Sequence, residues 1–562
     1  MKSSSWNFAD VWEVIAGVIP DSVAQRHGER AISWRQFNAQ ANGVARALIE
    51  AGLRAQDKLA LYLVNGPEYL QAAFAGMKAS LVPVNTNYRY REEELVYLWQ
   101  NSDAAAVVFH GQFVDRVDQV RSRCPDVRLW IHVEDGSGPC PSWALPWSQI
   151  AADGASVALP LEGRSGDDLI LIYTGGTTGR PRGVMWRQHD LFLASNTTGD
   201  PEHADFAQVR DRLLRARRDA PVGTAAAPVG LPAAPLMHGT AFVFAATILN
   251  RGGTVVTLPG ERFDPVRLLD TMTSERVTDL CFVGDAFCRP IVDALDADPG
   301  RWSIDCLRAV SSSGMAWSAA NKQRLLAHAP GALLIDFLNS SEASGMGRSL
   351  ASRRSAPDSG RFKLGERAFV IDEALRPVAP GSGVIGRIAV RGRVPLGYYK
   401  DPVRSAETFP VIDGERCAVP GDHATVEADG TVRLLGRGSV SINTGGEKVY
   451  PDEVEACIKE MPGVVDALVL GVPDERFGER VAALVERAPG QTRPDADAVA
   501  THVAGRLAGY KVPRSVCFVE TIGRGPNGKA DYPDARRRVI AMLAMARPVA
   551  DSTGPAARGA ER

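Results

Sequence analysis

Residues 169 to 184 read Leu-Ile-Leu-Ile-Tyr-Thr-Gly-Gly-Thr-Thr-Gly-Arg-Pro-Arg-Gly-Val. The apolar run Leu169 to Ile172 delivers the chain as a strand into a loop of unusual chemistry. Gly175, Gly176 and Gly179 let the backbone come close to a polyanion and turn successive N–H groups toward it. Thr174, Thr177 and Thr178 add hydroxyl donors, and Arg182 adds a fixed positive charge. So dense a set of donors reads as a triphosphate grip rather than as a solvent-exposed glycine-rich turn.

Upstream of this loop the chain alternates between helical and strand-like periods. Residues 34 to 50 place Phe37, Ala41, Val44 and Leu48 on one helical face, with Ser33 as N-cap and Gly52 just past the end. An apolar run from Leu59 to Val64 follows, then a helix over 67 to 79, a strand at Leu81 to Val84 and a helix from Arg91. A strand at Ala105 to Phe109, another helix and a strand at Val127 to Val133 continue the series. Apolar segments at 254 to 258, 279 to 283 and 308 to 311 repeat it after the loop. Such alternation predicts an α/β fold with parallel, doubly wound sheets.

Residues 204 to 220 are dense in Asp and Arg, with a charged helix at 207 to 218, and 221 to 235 are rich in Ala, Pro and Gly. They read as a surface insertion that ends in an irregular connection. From about Arg387 short strands and turns take over, with Asp429-Gly430 as a hairpin signal. Gly436 to Ser441 reads as a linker. Residues 451 to 540 read as a compact α+β unit: a helix from Pro451, strands near 464 to 471 and 480 to 486, a helix at 496 to 508 and a strand at 515 to 519. The expected division is 1–437, 438–545 and a disordered tail over 546–562.

A chain of 562 residues exceeds a single core and corresponds to roughly three to four domain-sized units. Its net charge of −2 argues against a dedicated nucleic-acid binder, so any anion site must be local. The eight cysteines form no C-x-x-C pair and no cluster with His, a pattern suited to reduced thiols in a cytoplasmic protein. Asp10 and Glu13 interrupt the N-terminus before an apolar run develops, which excludes a signal peptide. The longest apolar stretch, near Ala241 to Leu249, is about half of what a membrane span needs.

Two glycine motifs are decoys. Gly381-Ser382-Gly383-Val384-Ile385-Gly386 matches G-x-G-x-x-G but leads into a strand and opens no helix, so it lacks the dipole that holds a pyrophosphate. Gly525 to Lys529 lacks the spacing and the following Ser/Thr of a Walker loop.

With the loop at 173–184, the segments Ser311-Ser312-Ser313-Gly314, Leu338-Asn339-Ser340-Ser341-Glu342, Pro420-Gly421-Asp422, Gly436-Arg437, Thr444-Gly445-Gly446-Glu447-Lys448 and Gly528-Lys529 occur in a fixed order. Over nearly all of its length the chain resembles the adenylate-forming superfamily of acyl-CoA synthetases, luciferases and peptide-synthetase adenylation domains. Pro83 to Tyr90, Val283 to Phe287 and Gly436 to Lys448 are similar to the bacterial acyl-CoA ligases used on long-chain and steroid side-chain acids. The family has Ser at the position of Gly175 and Lys at that of Arg182; glycine keeps an N–H there and arginine keeps the charge, although the two cations differ as phosphate partners. Leu338 and Asn339 replace an aromatic and a glycine, and Val440 stands where the hinge has Asp or Lys.

The resemblance implies a large N-terminal domain with doubly wound sheets and a small β-barrel-like part, followed by a small mobile α+β domain. It implies ATP, Mg2+ and coenzyme A as cofactor and substrates, together with a small-molecule carboxylic acid, and leaves monomer and homodimer both open. Ser313 and Gly314 fall in the adenine turn, Ser341 near the phosphates and Glu342 on Mg2+. Asp422 accepts from the ribose hydroxyls, Arg437 opens the linker, and Gly445 and Gly446 border the pantetheine tunnel. Lys529 is the catalytic lysine of adenylation, His238 borders the acyl pocket, and rotation of the small domain exchanges Lys529 for the Gly445-Gly446 face. The implied reaction is acyl-AMP formation with release of pyrophosphate, then transfer of the acyl group to the thiol of coenzyme A. An aryl or medium-chain acid handled by the same chemistry is the nearest alternative. A nucleotide-binding protein without turnover is the alternative of another class, and release of pyrophosphate with any acid discriminates against it.

Overall fold

The computed structural model of the chain describes residues 7–152, 154, 163–174, 181–195, 211, 214–215, 227–260, 262–355, 358–437, 442–444, 447–474, 478–488, 494–507, 509–525, 528 and 530–545. Most of the charged insertion, the linker residues 438–441 and the tail 546–562 lie outside them. The chain divides into two compact units, the division falling between Leu434 and Leu435.

Two mixed sheets build the first unit. One runs, in spatial order, through the strands Leu145–Pro146, Leu129–Val133, Ala104–His110, Lys58–Tyr62, Val82–Asn85 and Leu169–Thr174, each parallel to its neighbour. It then reverses direction into Arg182–Arg187, which carries the two-residue strand Gly397–Tyr398 on its outer edge. Every residue of Ala104–His110 is buried, as expected for a parallel strand covered on both faces.

The covering helices follow from their caps and stripes. In Trp34–Glu50, the Ser33 hydroxyl accepts from Gln36 N–H at 3.2 Å while the Gln36 side chain accepts from Ser33 N–H at 2.9 Å. That reciprocal box satisfies two otherwise orphaned donors. The face formed by Phe37, Ala41, Val44 and Leu48 is wholly buried. Phe37 meets Phe74 of the helix Pro67–Lys78, with ring centroids 4.9 Å apart.

The second sheet starts with Arg30–Ser33 antiparallel to Val23–His27. It continues in parallel through Thr254–Thr257, Val229–Pro232, Asp279–Phe282, Ala309–Ser313 and Leu333–Ser340. At Ala343–Ala351 it turns antiparallel and stays so through Arg361–Leu364. The path goes on through Thr431–Arg437, Asp422–Val426, Ile385–Arg391, Glu415–Ala418 and Val411–Ile412. These last short strands enclose a small apolar core of their own, Ile371, Ala389, Ile412, Cys417 and Val419.

Two readings change. Val229–Pro232 lies inside the stretch expected to be irregular, yet it is a strand in the middle of the sheet. Its four residues, one Gly and one terminal Pro among them, carry no alternation, because both faces are covered. Short strands also begin somewhat before Arg387, with Arg361–Leu364 and Ala368–Ile371. Residues 381–384 form an exposed turn, as expected, and feed the strand Ile385–Arg391, which takes in the last glycine of the motif.

In the second unit Val464–Asp474 pairs antiparallel with Gly478–Arg487, and Ser515–Val519 lies parallel to the latter. Alternate residues of the ribbon serve two cores. Ala467, Val469, Val481, Ala483 and Val485 join Val454, Ile458, Val499 and Val503 of the helices Pro451–Lys459 and Ala496–Ala504. Leu468, Leu470, Val472, Ala482 and Leu484 join Ala535 and Val539 of a further helix, Tyr532–Met545. That last helix escapes a reading of periodicity because it buries only those two residues and carries Arg536, Arg537 and Arg538 between them.

Candidate active site

Both sheets of the first unit change from parallel to antiparallel pairing at a hairpin, and the candidate residues Thr174, Arg182, Ser341 and Glu342 sit at these two hairpins. In the first, Thr174 opposes Arg182 and Tyr173 opposes Gly183, so the glycine- and threonine-rich loop is the connection between two paired strands. Gly175, Gly176, Thr177, Thr178 and Gly179 themselves lie outside the described residues. Gly183 is required by close approach: a Cβ there would stand 2.6 Å from the Tyr173 ring. Tyr173 in turn donates to Asn101 Oδ1 at 2.7 Å, and Tyr97 donates to the Pro181 carbonyl at 3.0 Å. The residues that flank the loop are therefore braced.

In the second hairpin Leu333–Ser340 turns through Ser341 and Glu342 into Ala343–Ala351. The Ser340 hydroxyl accepts from Ala343 N–H at 3.1 Å, and Asn339 Oδ1 accepts from Gly345 N–H at 2.8 Å. Asn339 thus closes the turn with its side chain. Leu338 is buried in the main core. Ser313 and Gly314 stand at the end of the neighbouring parallel strand Ala309–Ser313.

One tie joins the two hairpins directly, and two more join them through the segment at 397–401. Trp186 Nε1 donates to the Ser341 carbonyl at 2.8 Å. Tyr398 donates its hydroxyl proton to Glu342 Oε1 at 2.8 Å. Arg182 Nε lies 3.2 Å from Asp401 Oδ2. Burial pushes the Tyr398 phenol above its ordinary range and the Glu342 charge adds to this, so Tyr398 remains the donor. A polar cavity of about 270 Å³ at the base of the loop is lined by Tyr97, Asn101, Arg182, Tyr399, Lys400 and Asp401.

His238 caps the helix Gly239–Asn250 through its backbone, its carbonyl accepting from Phe242 N–H at 3.1 Å. Asn85 holds this corner against the loop strand, donating to the Met237 carbonyl at 2.7 Å and accepting from Tyr173 N–H at 2.6 Å. Asp422, 8% exposed, opens the strand Asp422–Val426 in the same sheet as Ser313 and Glu342. Arg437 ends the strand Thr431–Arg437. Gly445, Gly446 and Lys529 lie outside the described residues. The eight cysteines are all free thiols, and no described helix is long and apolar enough to cross a membrane.

Sequence reasoning passed over Tyr398, Asp401, Trp186 and Asn85. The one available signal was Asp401-Pro402, an N-cap followed by proline in the first turn of the helix Pro402–Thr408.

Residues 12–399 match the AMP-binding enzyme family, and residues 453–529 match the AMP-binding enzyme C-terminal domain. The chain belongs to the AMP-binding enzyme family, as an acid–thiol ligase of the AMP-forming kind. It is 40% identical to the medium/long-chain-fatty-acid–CoA/3-oxocholest-4-en-26-oate–CoA ligase of Mycolicibacterium smegmatis, over 94% of this chain and 95% of the relative. It is 38% identical to the 3-oxocholest-4-en-26-oate–CoA ligase of Rhodococcus rhodochrous, over 94% of each. Among solved structures it superposes with a TM-score of 0.75 on ATP-bound MatB from Rhodopseudomonas palustris, at 27% identity, covering 94% of this chain and 98% of that one.

Proposed function

We propose that the chain is an ATP-dependent, Mg2+-requiring acyl-CoA ligase of the cytoplasm, acting on a long-chain fatty or steroid side-chain acid. The acid class rests on the names carried by its relatives at 38% and 40% identity. The carrying observation for the chemistry is the tie between the two hairpins, which sets the cation Arg182 and the carboxylate Glu342 on either side of one residue, Tyr398. The cytoplasmic location accords with eight unpaired cysteines.

The acid's carboxylate attacks the α-phosphorus of ATP, and pyrophosphate leaves. Loop N–H groups, the threonine hydroxyls and Arg182 hold the phosphates. Asp422 accepts from the ribose hydroxyls, and Ser313-Gly314 abuts the adenine. Glu342 would hold Mg2+ as a hard oxygen donor. When bound, Mg2+ neutralises charge developing on the phosphates. Lys529 contacts the carboxylate and α-phosphate oxygens during the displacement, a positioning and electrostatic role. In the second half-reaction the thiol of coenzyme A attacks the acyl carbonyl beside Gly445 and Gly446, and AMP leaves.

The test is a pyrophosphate-release screen across fatty, aryl and steroid acids, followed by addition of coenzyme A. Release that is greatest with long-chain or steroid acids, and a thioester on adding coenzyme A, are the expected results. Release greatest with an aryl acid overturns the acid class alone, and no release with any acid overturns the ligase.

A further inference from the structure

Five consecutive residues, Gly397 to Asp401, each hold something specific in place, although their sequence shows only an aromatic pair followed by Lys-Asp-Pro. The segment is folded back on itself. Ser405, one turn into the helix Pro402–Thr408, donates to the Asp401 carbonyl at 2.6 Å and accepts from Tyr398 N–H at 2.8 Å. Asp401 caps that helix by accepting from Arg404 N–H at 3.1 Å. Gly397, at φ +146, is where the chain must pass close: a Cβ there would stand 2.7 Å from Ser405 Oγ. Pairing of Gly397 with Met185 and of Tyr398 with Val184 fastens this closed loop to the outgoing strand of the phosphate hairpin.

From that anchorage the side chains diverge to three targets. Tyr398 donates to Glu342, and this is the one side-chain hydrogen bond Glu342 makes among the described residues. Tyr399 and Lys400 both reach Asp103, the phenol to Oδ2 at 2.7 Å and the ammonium to Oδ1 at 2.6 Å. Asp401 takes Arg182 Nε. Lys400 adopts φ +57 and Asp103 φ +54, left-handed conformations that are uncommon for non-glycine residues and persist where the surroundings over-determine them. Two such residues joined by one ion pair mark Asp103 as the fixed post against which the segment is braced.

We infer that Gly397–Asp401 is a positioning element that presets Glu342 and Arg182 for the nucleotide, with Tyr398 as the positioning residue for the metal-binding carboxylate. This rests on the assignment of Glu342 to Mg2+. A free glutamate samples several rotamers, only some of which aim an oxygen at the phosphates. By occupying Oε1, Tyr398 selects one rotamer and leaves Oε2 for the metal. Asp401 acts likewise on Arg182, whose Nε lies 3.2 Å from the Asp401 Oδ2. A purely structural alternative treats Tyr398 as a packed ring, lying edge-on to Phe409 at 5.7 Å, whose hydroxyl merely finds a partner.

Tyr398→Phe separates the two, since it keeps the ring and removes the donor. Loss of a residue that orients a metal ligand typically weakens metal affinity by about 10-fold or more. The half-saturating Mg2+ concentration for ATP–pyrophosphate exchange should therefore rise about 10-fold. The Mg2+ concentration needed to raise the Tm of the full chain with a non-hydrolysable ATP analogue should rise by the same factor. The ligand-free Tm and the ATP KM at saturating Mg2+ should stay near their original values. A folded Tyr398→Phe protein with unchanged Mg2+ dependence in both assays overturns the inference. Should that variant not fold, Asp103→Asn decides: asparagine tolerates the left-handed backbone while loosening the far anchor, and an unshifted Mg2+ dependence there overturns the inference equally. Glu342→Gln is the reference. If it leaves the Mg2+ requirement unchanged, the metal assignment itself fails; if it raises the requirement while Tyr398→Phe does not, the positioning element alone fails.

Discussion

The two hairpins of the first unit solve opposite electrostatic problems with one topological device. In each sheet a run of parallel strands ends where the chain doubles back antiparallel, at Leu169–Thr174 with Arg182–Arg187 and at Leu333–Ser340 with Ala343–Ala351. The first doubling back is long and rich in glycine and threonine, which suits a polyanion that must meet many N–H groups. The second is tight, with Ser341 and Glu342 at its tip, which suits a compact cation needing one well-aimed oxygen. An anion grip takes its strength from many weak donors, so its chemistry is spread along the sequence. A cation ligand takes its strength from a single carboxylate, and the group that orients that carboxylate comes from elsewhere in the chain, here from Tyr398.

The largest expected effect tests whether both hairpins are holders of substrate and not the reacting centre. Lys529→Ala should lower acyl-AMP formation by about a thousandfold, the cost of losing one preorganised transition-state donor. Thioester formation from supplied acyl-AMP should largely survive. The two half-reactions, assayed separately, give the check, and equal loss of both would return the lysine to a structural role.

Next in size is Asp422→Ala, which removes the proposed acceptor of the ribose hydroxyls, on a strand of the same sheet that carries the Glu342 turn. A charge-assisted hydrogen bond is worth roughly 1.5–3 kcal/mol, so the ATP KM should rise by about 10- to 150-fold. A folded variant with the original ATP KM would take Asp422 out of the nucleotide site.

How much of this is legible in the sequence differs between the two hairpins for the same physical reason. The first hairpin announces itself because a polyanion grip is built from backbone and short side chains, which leaves a local signature of glycine and threonine. Alternation of strands and helices before it is equally legible, since the parallel strands are mostly apolar and a covering helix such as Trp34–Glu50 has a cap and a stripe. The Ser341–Glu342 hairpin is found only by resemblance, and its supports are invisible to any local reading. Tyr398 is 56 residues from Glu342 in the chain, and Asp103 is 297 residues from Lys400. Val229–Pro232 is missed because four residues covered on both faces have no period to show.

The comparison itself can be broken by paired variants of moderate effect. Glu342→Gln should raise the Mg2+ requirement about 10-fold while sparing the ATP KM at saturating metal. Arg182→Lys keeps the charge but loses the planar fork, so it should raise the ATP KM several-fold and spare the Mg2+ requirement. Titrating Mg2+ and ATP independently for both variants distinguishes the hairpins. If each variant shifts both titrations together, the two turns act as one site and the division of labour is wrong.

The smallest single effect lies beyond both hairpins, in the acid. In the proposed reading both turns serve the nucleotide and its metal, and selectivity for the acyl chain is expected near His238 and the segment Phe282 to Phe287, where Phe287 packs on Phe263 at 4.8 Å. Each buried methylene is worth about 0.8 kcal/mol, roughly a fourfold gain per added carbon. The gains accumulate, so kcat/KM should climb steeply from acetate to long-chain or steroid side-chain acids while the ATP KM and the Mg2+ requirement stay level. Amino acids should be poor substrates, because an ammonium placed beside that apolar wall needs a buried partner. Measuring kcat/KM along a homologous series of acids at saturating Mg-ATP checks each step. A preference for acetate or for an amino acid would refute the acid class and leave the ligase chemistry standing, whereas a Mg2+ requirement that drifts with chain length would show that the acyl pocket and the Glu342 turn are not independent.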